Sequence, residues 1–251
     1  MTDRHTMEAW VRRFNAAPDH SPRPRLVCFP HASGAASYYL KLSRLLAPEV
    51  EVLALQYPGR QDRRHEPLID DLHVLADRAC EAIAPFIDRP TAFFGHSMGA
   101  VVAYETALRL DRADAPEHLF VSGRRAPSVP GQDDTHRLSD DDLIAVVTAL
   151  DGTDSRVLDD PELRPLILPT MRGDYRAIET YAPRPSRPLS CSLTVLVGDS
   201  DPLTTVDAAS AWEAHTTGSS EVQIFPGGHF YLNDHWDDLA ALAKTSLSAH
   251  A

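Results

Sequence analysis

A chain of 251 residues, 43% of them apolar, has the length and hydrophobic content for one large α/β domain with room for an insertion. Its formal charge of −12 argues against nucleic acid as a partner, because that binding depends on neutralising phosphates with Lys and Arg. No apolar run approaches the roughly 18 residues of a membrane span, and Met1–Pro24 lacks the apolar core of a secretory signal, so a soluble cytoplasmic protein is expected.

In chain order, the spacing around Trp10–Phe14 predicts a short surface helix, followed by a Pro-rich lead-in. Leu26–Phe29 reads as the first strand and is broken by Pro30-His31-Ala32-Ser33-Gly34. Ser37–Leu46 has helical spacing, Val50–Leu55 is a second strand, and the cluster Arg60, Arg63 and Arg64 reads as a solvated loop. Asp70–Ile87 predicts a helix with Leu72, Leu75, Ala76, Ala79 and Ile83 on one face. A strand at Thr91–Phe94, a helix at Val101–Leu110 and a strand at His118–Val121 follow. Strand and helix alternating at this rhythm imply a parallel sheet covered on both faces.

The rhythm fails between Arg124 and Pro188, where only helical patterns occur, so residues 124–188 read as a helical lid inserted in a single domain, 1–251. Ser139 can cap a helix over Asp140–Leu150, with Asp142 at the reciprocal position of a capping box. Leu163–Tyr181 is helical but carries Pro165, Pro169 and Gly173, which predict a broken or mobile piece. The sheet resumes at Leu193–Val197. A helix at Ala208–Ala214, a last strand at Glu221–Phe225 and a final helix from about Asn233 to Leu247 complete the chain.

Gly95-His96-Ser97-Met98-Gly99 joins the third of these strands to its helix with the spacing of a nucleophile elbow. A turn this tight leaves no room for side chains at its glycines. The competing reading of the motif by itself is a helix-capping turn whose serine bonds only locally. A serine nucleophile needs a base, and the base needs an orienting carboxylate, which such sheets supply from strand ends in the order Ser, Asp or Glu, His. Here Ser97, then Asp199 and Asp201, then His229 arrive in that order and at one sheet edge. Between the two aspartates the residues alone leave the choice open: Asp199 can close the turn, whereas Asp201 is held extended by Pro202.

His31 precedes the serine on a loop wanted for another task, and His96 adjoins it pointing elsewhere, so His229 is the expected base. Oxyanion donors are expected from the Met98 amide, at the start of the elbow helix, and from the Ala32 amide in the loop after the first strand. His229 and His235 lack a zinc-helix spacing, and Cys28, Cys80 and Cys191 form no CxxC, so no metal site is expected.

Several stretches together resemble the type II thioesterases of polyketide and nonribosomal peptide assembly lines. They are Phe29-Pro30-His31-Ala32-Ser33-Gly34, Tyr57-Pro58-Gly59-Arg60, Gly95-His96-Ser97-Met98-Gly99-Ala100, Ser122-Gly123-Arg124-Arg125-Ala126-Pro127, Asp174-Tyr175-Arg176, Gly198-Asp199-Ser200-Asp201-Pro202 and Gly227-Gly228-His229-Phe230. The resemblance implies an α/β-hydrolase fold with a helical lid and no cofactor. It places the catalytic acid at Asp201 and supports Ala32 and Met98 as oxyanion donors.

One departure stands out: Ser33 occupies a position that is usually glycine in this family. The implied substrate is an acyl group on the phosphopantetheine arm of an acyl or peptidyl carrier protein, met by a monomeric enzyme. Leu168, Met171, Tyr175 and Ile178 would line the acyl chamber, and Arg60, Arg63, Arg124 and Arg125 would face the acidic carrier. A carboxylesterase or lipase on the same fold, and a non-catalytic binding module, are the alternatives.

Overall fold

The strand carrying the elbow, β4 (Thr91–His96), lies near the middle of a seven-stranded sheet. This computed structural model describes residues 9–16, 18, 22–111, 114–131, 133–150, 160 and 162–248. The sheet also contains β1 (Val11–Arg13), β2 (Arg25–Phe29), β3 (Glu51–Leu55), β5 (His118–Ser122), β6 (Ser192–Gly198) and β7 (Ser220–Phe225), in the order β1-β3-β2-β4-β5-β6-β7. Every neighbouring pair is parallel except β1 with β3. Phe29 stands opposite Gly95, and His96 opposite Ser122. The loops that leave these strands therefore emerge side by side along one edge.

The inner strands are mostly apolar because both their faces are covered, and alternate side chains serve opposite faces. Val27, Phe29, Leu53, Leu55, Phe93, Leu119 and Val121 pack on one side against α2 (Leu72–Ile83) and α3 (Met98–Arg109). Leu26, Cys28, Val52, Ala54, Phe94 and Phe120 pack on the other against α1 (Leu40–Leu46) and α6 (Trp236–Ser248). Among the described residues no helix is long and apolar enough to cross a membrane.

The expected helix around Trp10–Phe14 is instead the antiparallel edge strand β1. The Gln56 amide donates to Trp10 O at 2.8 Å, and the Trp10 ring packs edge-on against Tyr57. Pairing with the otherwise open edge of β3 overrides a helical spacing too short to be stable alone. One more strand therefore precedes the elbow than the sequence pattern implies.

Between β5 and β6 the described residues form α4 (Asp140–Ala149) and α5 (Arg164–Glu179). The middle of the expected lid, 151–159, lies outside the described residues. Ser139 caps α4 by accepting from the Asp142 amide, while its own hydroxyl donates to the Asp142 carboxylate at 2.6 Å. The predicted break in the second helix is absent: α5 runs continuously through Pro169 and Gly173.

Packing explains that continuity. Pro165 falls in the first turn, where no amide donor is needed. One turn past Pro169, a Cβ on Gly173 would lie 2.5 Å from Leu68 Cδ1, so glycine lets the helix seat closely. Met171 is buried with Leu143 and Val147 of α4.

Candidate active site

Ser97 sits between β4 and α3 with φ 53° and ψ −119°, a strained conformation for a residue with a side chain. The flanking glycines make it possible. A Cβ at Gly95 would lie 2.1 Å from Gly99 O, and one at Gly99 would lie 2.0 Å from Phe29 O. The Ser97 amide donates to Ser122 O at 2.8 Å, tying the elbow to β5. Met98 begins α3, so its amide is one of the helix's first donors, which have no partner within the helix.

Asp201 follows β6 and His229 follows β7. Their side chains, both buried, meet at 2.9 Å between Asp201 Oδ2 and His229 Nδ1. The other oxygen, Oδ1, accepts from the Leu203 amide at 2.8 Å, which fixes the carboxylate's orientation. A carboxylate at Nδ1 selects the tautomer with the proton there and leaves Nε2 as the base.

Asp199 does different work. It accepts from the Gly227 amide at 3.0 Å and from the Ser200 hydroxyl at 2.7 Å, so it stitches two loops together on the surface. The Ser200 hydroxyl, and then the Gly227 amide, hold its carboxyl below the usual carboxylate range.

The His229 ring lies 4.9 Å, centre to centre, from that of His96, the residue before Ser97. The structure thus brings Asp201 and His229 together at the elbow. It does not hydrogen-bond Ser97 Oγ to His229, an alignment that commonly tightens only when substrate binds. His96 is anchored by the contact of its Nδ1 with Ser122 Oγ at 2.9 Å, and Ser122 Oγ meets Tyr231 OH at 2.7 Å.

Burial first, then the nearby His229 and Arg60, push His31 down to about 3. Burial first, then His229 and His31, push His96 well below its ordinary value. Both rings are therefore neutral near pH 7. Glycine is required beside them at position 123, which has φ +58° and where a Cβ would lie only 2.6 Å from His96 Cε1 and 3.4 Å from His229 Cε1.

The loop after β2 forms a turn in which the Gly34 amide donates to His31 O at 2.9 Å. The Ser33 amide donates to Asp174 Oδ2 at 2.7 Å. Of the amides at 32, 33 and 34, that of Ala32 has no protein acceptor, as an oxyanion donor requires. Ser33 has φ 65°, which explains why glycine is the easier residue there.

Arg60 and Arg63 depart from both expectations made for them. They are buried, not a solvated loop or a carrier-facing patch. Arg60 makes a two-pronged pair with Asp174 at 2.7 and 2.8 Å. Arg63 bonds Gln56 O at 2.7 Å and Glu66 at 2.8 Å, and lies over the Trp10 ring. Sequence reasoning missed this internal use. The only signal was that the Tyr57–Arg60 and Asp174–Arg176 stretches both belong to the resemblance.

The expected acyl-chamber residues separate into two groups. Leu168 and Tyr175 pack with Met171 against Leu143 and Val147, whereas Ile178 joins the main core. Ile178 also borders a cleft of about 370 Å³ with Val101, Arg124, Arg125 and Tyr181. Arg124 there is half-buried and lowered to about 10, by burial first and then by Arg125. Arg125 pairs with Asp133.

The profile of the family described as "Thioesterase domain" matches residues 24–247. The "Probable cadicidin biosynthesis thioesterase" of Streptomyces griseus is 51% identical over 233 residues, covering 92% of this chain and 64% of that protein. The chain thus spans less than two thirds of that relative's length. "Thioesterase PikA5" of Streptomyces venezuelae is 47% identical, covering 92% of this chain and 82% of the relative. Among solved structures, the type II thioesterase BorB from the borrelidin biosynthetic cluster superposes with a TM-score of 0.88 at 44% identity, covering 95% of this chain and 98% of that one.

Proposed function

This chain belongs to the thioesterase family, and from that premise we propose that it hydrolyses acyl thioesters carried on the phosphopantetheine arm of carrier proteins, through Ser97, His229 and Asp201. The observation that carries the residue assignment is the buried Asp201–His229 hydrogen bond beside a serine held at positive φ.

The thioester carbonyl enters above Ser97. His229 Nε2 takes the hydroxyl proton as Oγ attacks, and Asp201 stabilises the imidazolium that forms. The Met98 and Ala32 amides receive the oxyanion, each such donor contributing about 3 kcal/mol to the barrier reduction. Collapse expels the pantetheine thiolate, which takes the proton from His229. Water, activated by the same imidazole, then attacks the acyl-serine and releases the free acid. These steps use side chains and amides of this chain and call for no resident cofactor.

Relatives named for antibiotic biosynthesis support a role beside a polyketide or nonribosomal peptide synthase in the cytoplasm, where the enzyme removes aberrant acyl units that stall the line. The helices of residues 124–188 act as the lid, with Leu168, Met171, Tyr175 and Ile178 on the acyl side. With Arg60 and Arg63 internal, the carrier is met by exposed arginines such as Arg137 and Arg176, which border a surface cleft with Leu68.

The test is to compare hydrolysis of an acyl-carrier thioester with that of the matching oxygen ester, and to label the enzyme with a fluorophosphonate. Faster thioester turnover and labelling abolished by Ser97→Ala are expected. Preference for the oxygen ester would reassign the enzyme as an esterase. Absence of labelling with absence of turnover would make it a binding module.

A further inference from the structure

Asp174 on α5 and Arg60 after β3 lie 114 residues apart, yet they form a nearly solvent-free ion pair. Burying two charges is costly unless each hydrogen-bonding atom finds a partner. Here the charges are well satisfied. Asp174 receives both prongs of Arg60 and the Ser33 amide, and Arg60 Nη1 also donates to Gly34 O at 3.0 Å. One helical turn earlier, Thr170 Oγ1 donates to Gly59 O at 2.5 Å, so the same face of α5 grips the same loop twice.

What this pair holds is the turn that carries Ala32. Two peptides flank the Ala32 α-carbon. The first is fixed because His31 O accepts from the Gly34 amide, and the second because the Ser33 amide donates to Asp174. Ser33 occupies the position of the turn that needs positive φ, which glycine adopts freely and serine does not. Serine favours the alternative turn in which the Ala32–Ser33 peptide is flipped, and that turn would aim a carbonyl oxygen at the Asp174 carboxylate.

We propose that Asp174, braced by Arg60, is a positioning residue for the oxyanion hole: Asp174 holds the Ala32–Ser33 peptide and Arg60 holds Gly34 O, so that the turn from which the Ala32 amide projects keeps its place beside Ser97. The assignment rests on the reading of Ser97 as nucleophile and Ala32 as oxyanion donor. It ties the helical insertion directly to the donor that stabilises the tetrahedral intermediate.

Four variants of the full chain test it: Asp174→Asn, the charge-free double variant Arg60→Met/Asp174→Leu, and each of these with Ser33→Gly added. Turnover of an acyl N-acetylcysteamine thioester and the rate of fluorophosphonate labelling at Ser97 are measured with the melting temperature. Both Asp174 variants should lose on the order of 100-fold in kcat with KM little changed, and labelling should slow in parallel. Adding Ser33→Gly should restore most of kcat, because glycine holds the left-handed turn without an external acceptor.

An unchanged kcat in either folded variant would overturn the proposal. So would a loss that follows the melting temperature and ignores Ser33→Gly, or failure of both the single and double variants to fold, since each makes the pair purely structural. Failure of the underlying nucleophile reading looks different: the unaltered enzyme then takes no label at Ser97.

Discussion

Asp201 Oδ2 lies 2.9 Å from His229 Nδ1, and neither side chain is more than marginally exposed, whereas Asp199, two residues earlier on the same turn, faces solvent. The two carboxylates follow one strand and have been given separate tasks by direction alone. The inward one orients an imidazole, and the outward one ties the β6 loop to Gly227.

Asp201→Asn should therefore leave the fold intact and lower kcat by about 10⁴-fold, because an amide at that place can stabilise the wrong tautomer and cannot offset the imidazolium charge. Asp199→Asn should leave kcat nearly unchanged. Steady-state kinetics on one acyl thioester with both variants decides between them, and the reverse ranking would move the catalytic acid to Asp199.

The elbow makes a prediction about stability. A Cβ on Gly99 would meet the backbone of Phe29 and Pro30, at 2.0 and 2.7 Å from their carbonyl oxygens, and backbone cannot swing aside as a long side chain can. Gly99→Ala should cost at least the roughly 1–3 kcal/mol typical of overpacking. It should also slow Ser97 labelling, because it would push the start of α3, which carries Ser97 and the Met98 amide, away from the end of β2 and the loop that holds Ala32. Urea unfolding and labelling rate, measured together, check both; wild-type values in each would contradict the close approach.

Acid should destabilise the protein through its neutral histidines. His31 is pushed down to about 3 and His96 well below its ordinary value, each by burial first, while in the unfolded chain both return to about 6.5. Below that value the unfolded state binds protons that the folded state refuses, so stability is full above about pH 6.5 and falls as pH drops toward 3. His31 contributes roughly 1 kcal/mol per pH unit within that window, and His96 acts in the same direction. The unfolding free energy from urea titrations should have a correspondingly steeper acid limb in the parent than in His31→Gln, and equal limbs would show that His31 is not held neutral.

Much of this was legible in the sequence, and the legible parts share a cause. Ser97, Asp201 and His229 each stand where an apolar strand run ends, and a parallel sheet brings such ends to one edge whatever the loops do. The capping of α4 by Ser139 is a four-residue event and equally local. Less legible were features that depend on what packs against what. Trp10–Phe14 has helical spacing but is drawn into a strand by the open edge of β3. Pro169 and Gly173 predict a break that the contacts of α5 with Leu68 and the 57–60 loop override. Arg60 and Arg63 look like surface charge because nothing local shows that Asp174 and Gln56 will be waiting. The positive φ of Ser33 is the one place where a sequence departure and a structural strain coincide.

The burial of Arg60 and Arg63 moves any carrier contact to arginines that reach solvent. Arg137 and Arg176 are 71% and 60% exposed, and both border the cleft that also holds Leu68 and Arg172. Their pairing with Asp134 and Asp70 does not disqualify them, since exposed pairs are worth only about 0–1 kcal/mol and exchange partners readily. Contact with an acidic carrier through such groups should be weak and screened by salt, as the Debye length falls from about 10 Å at 0.1 M to about 3 Å at 1 M. Raising ionic strength should therefore increase KM for an acyl-carrier substrate while leaving a free pantetheine thioester unaffected. Arg137→Ala/Arg176→Ala should reproduce that increase at low salt without changing kcat on the small thioester. Equal salt dependence for the two substrates, or a double variant with unchanged KM for the carrier, would remove this face from carrier recognition.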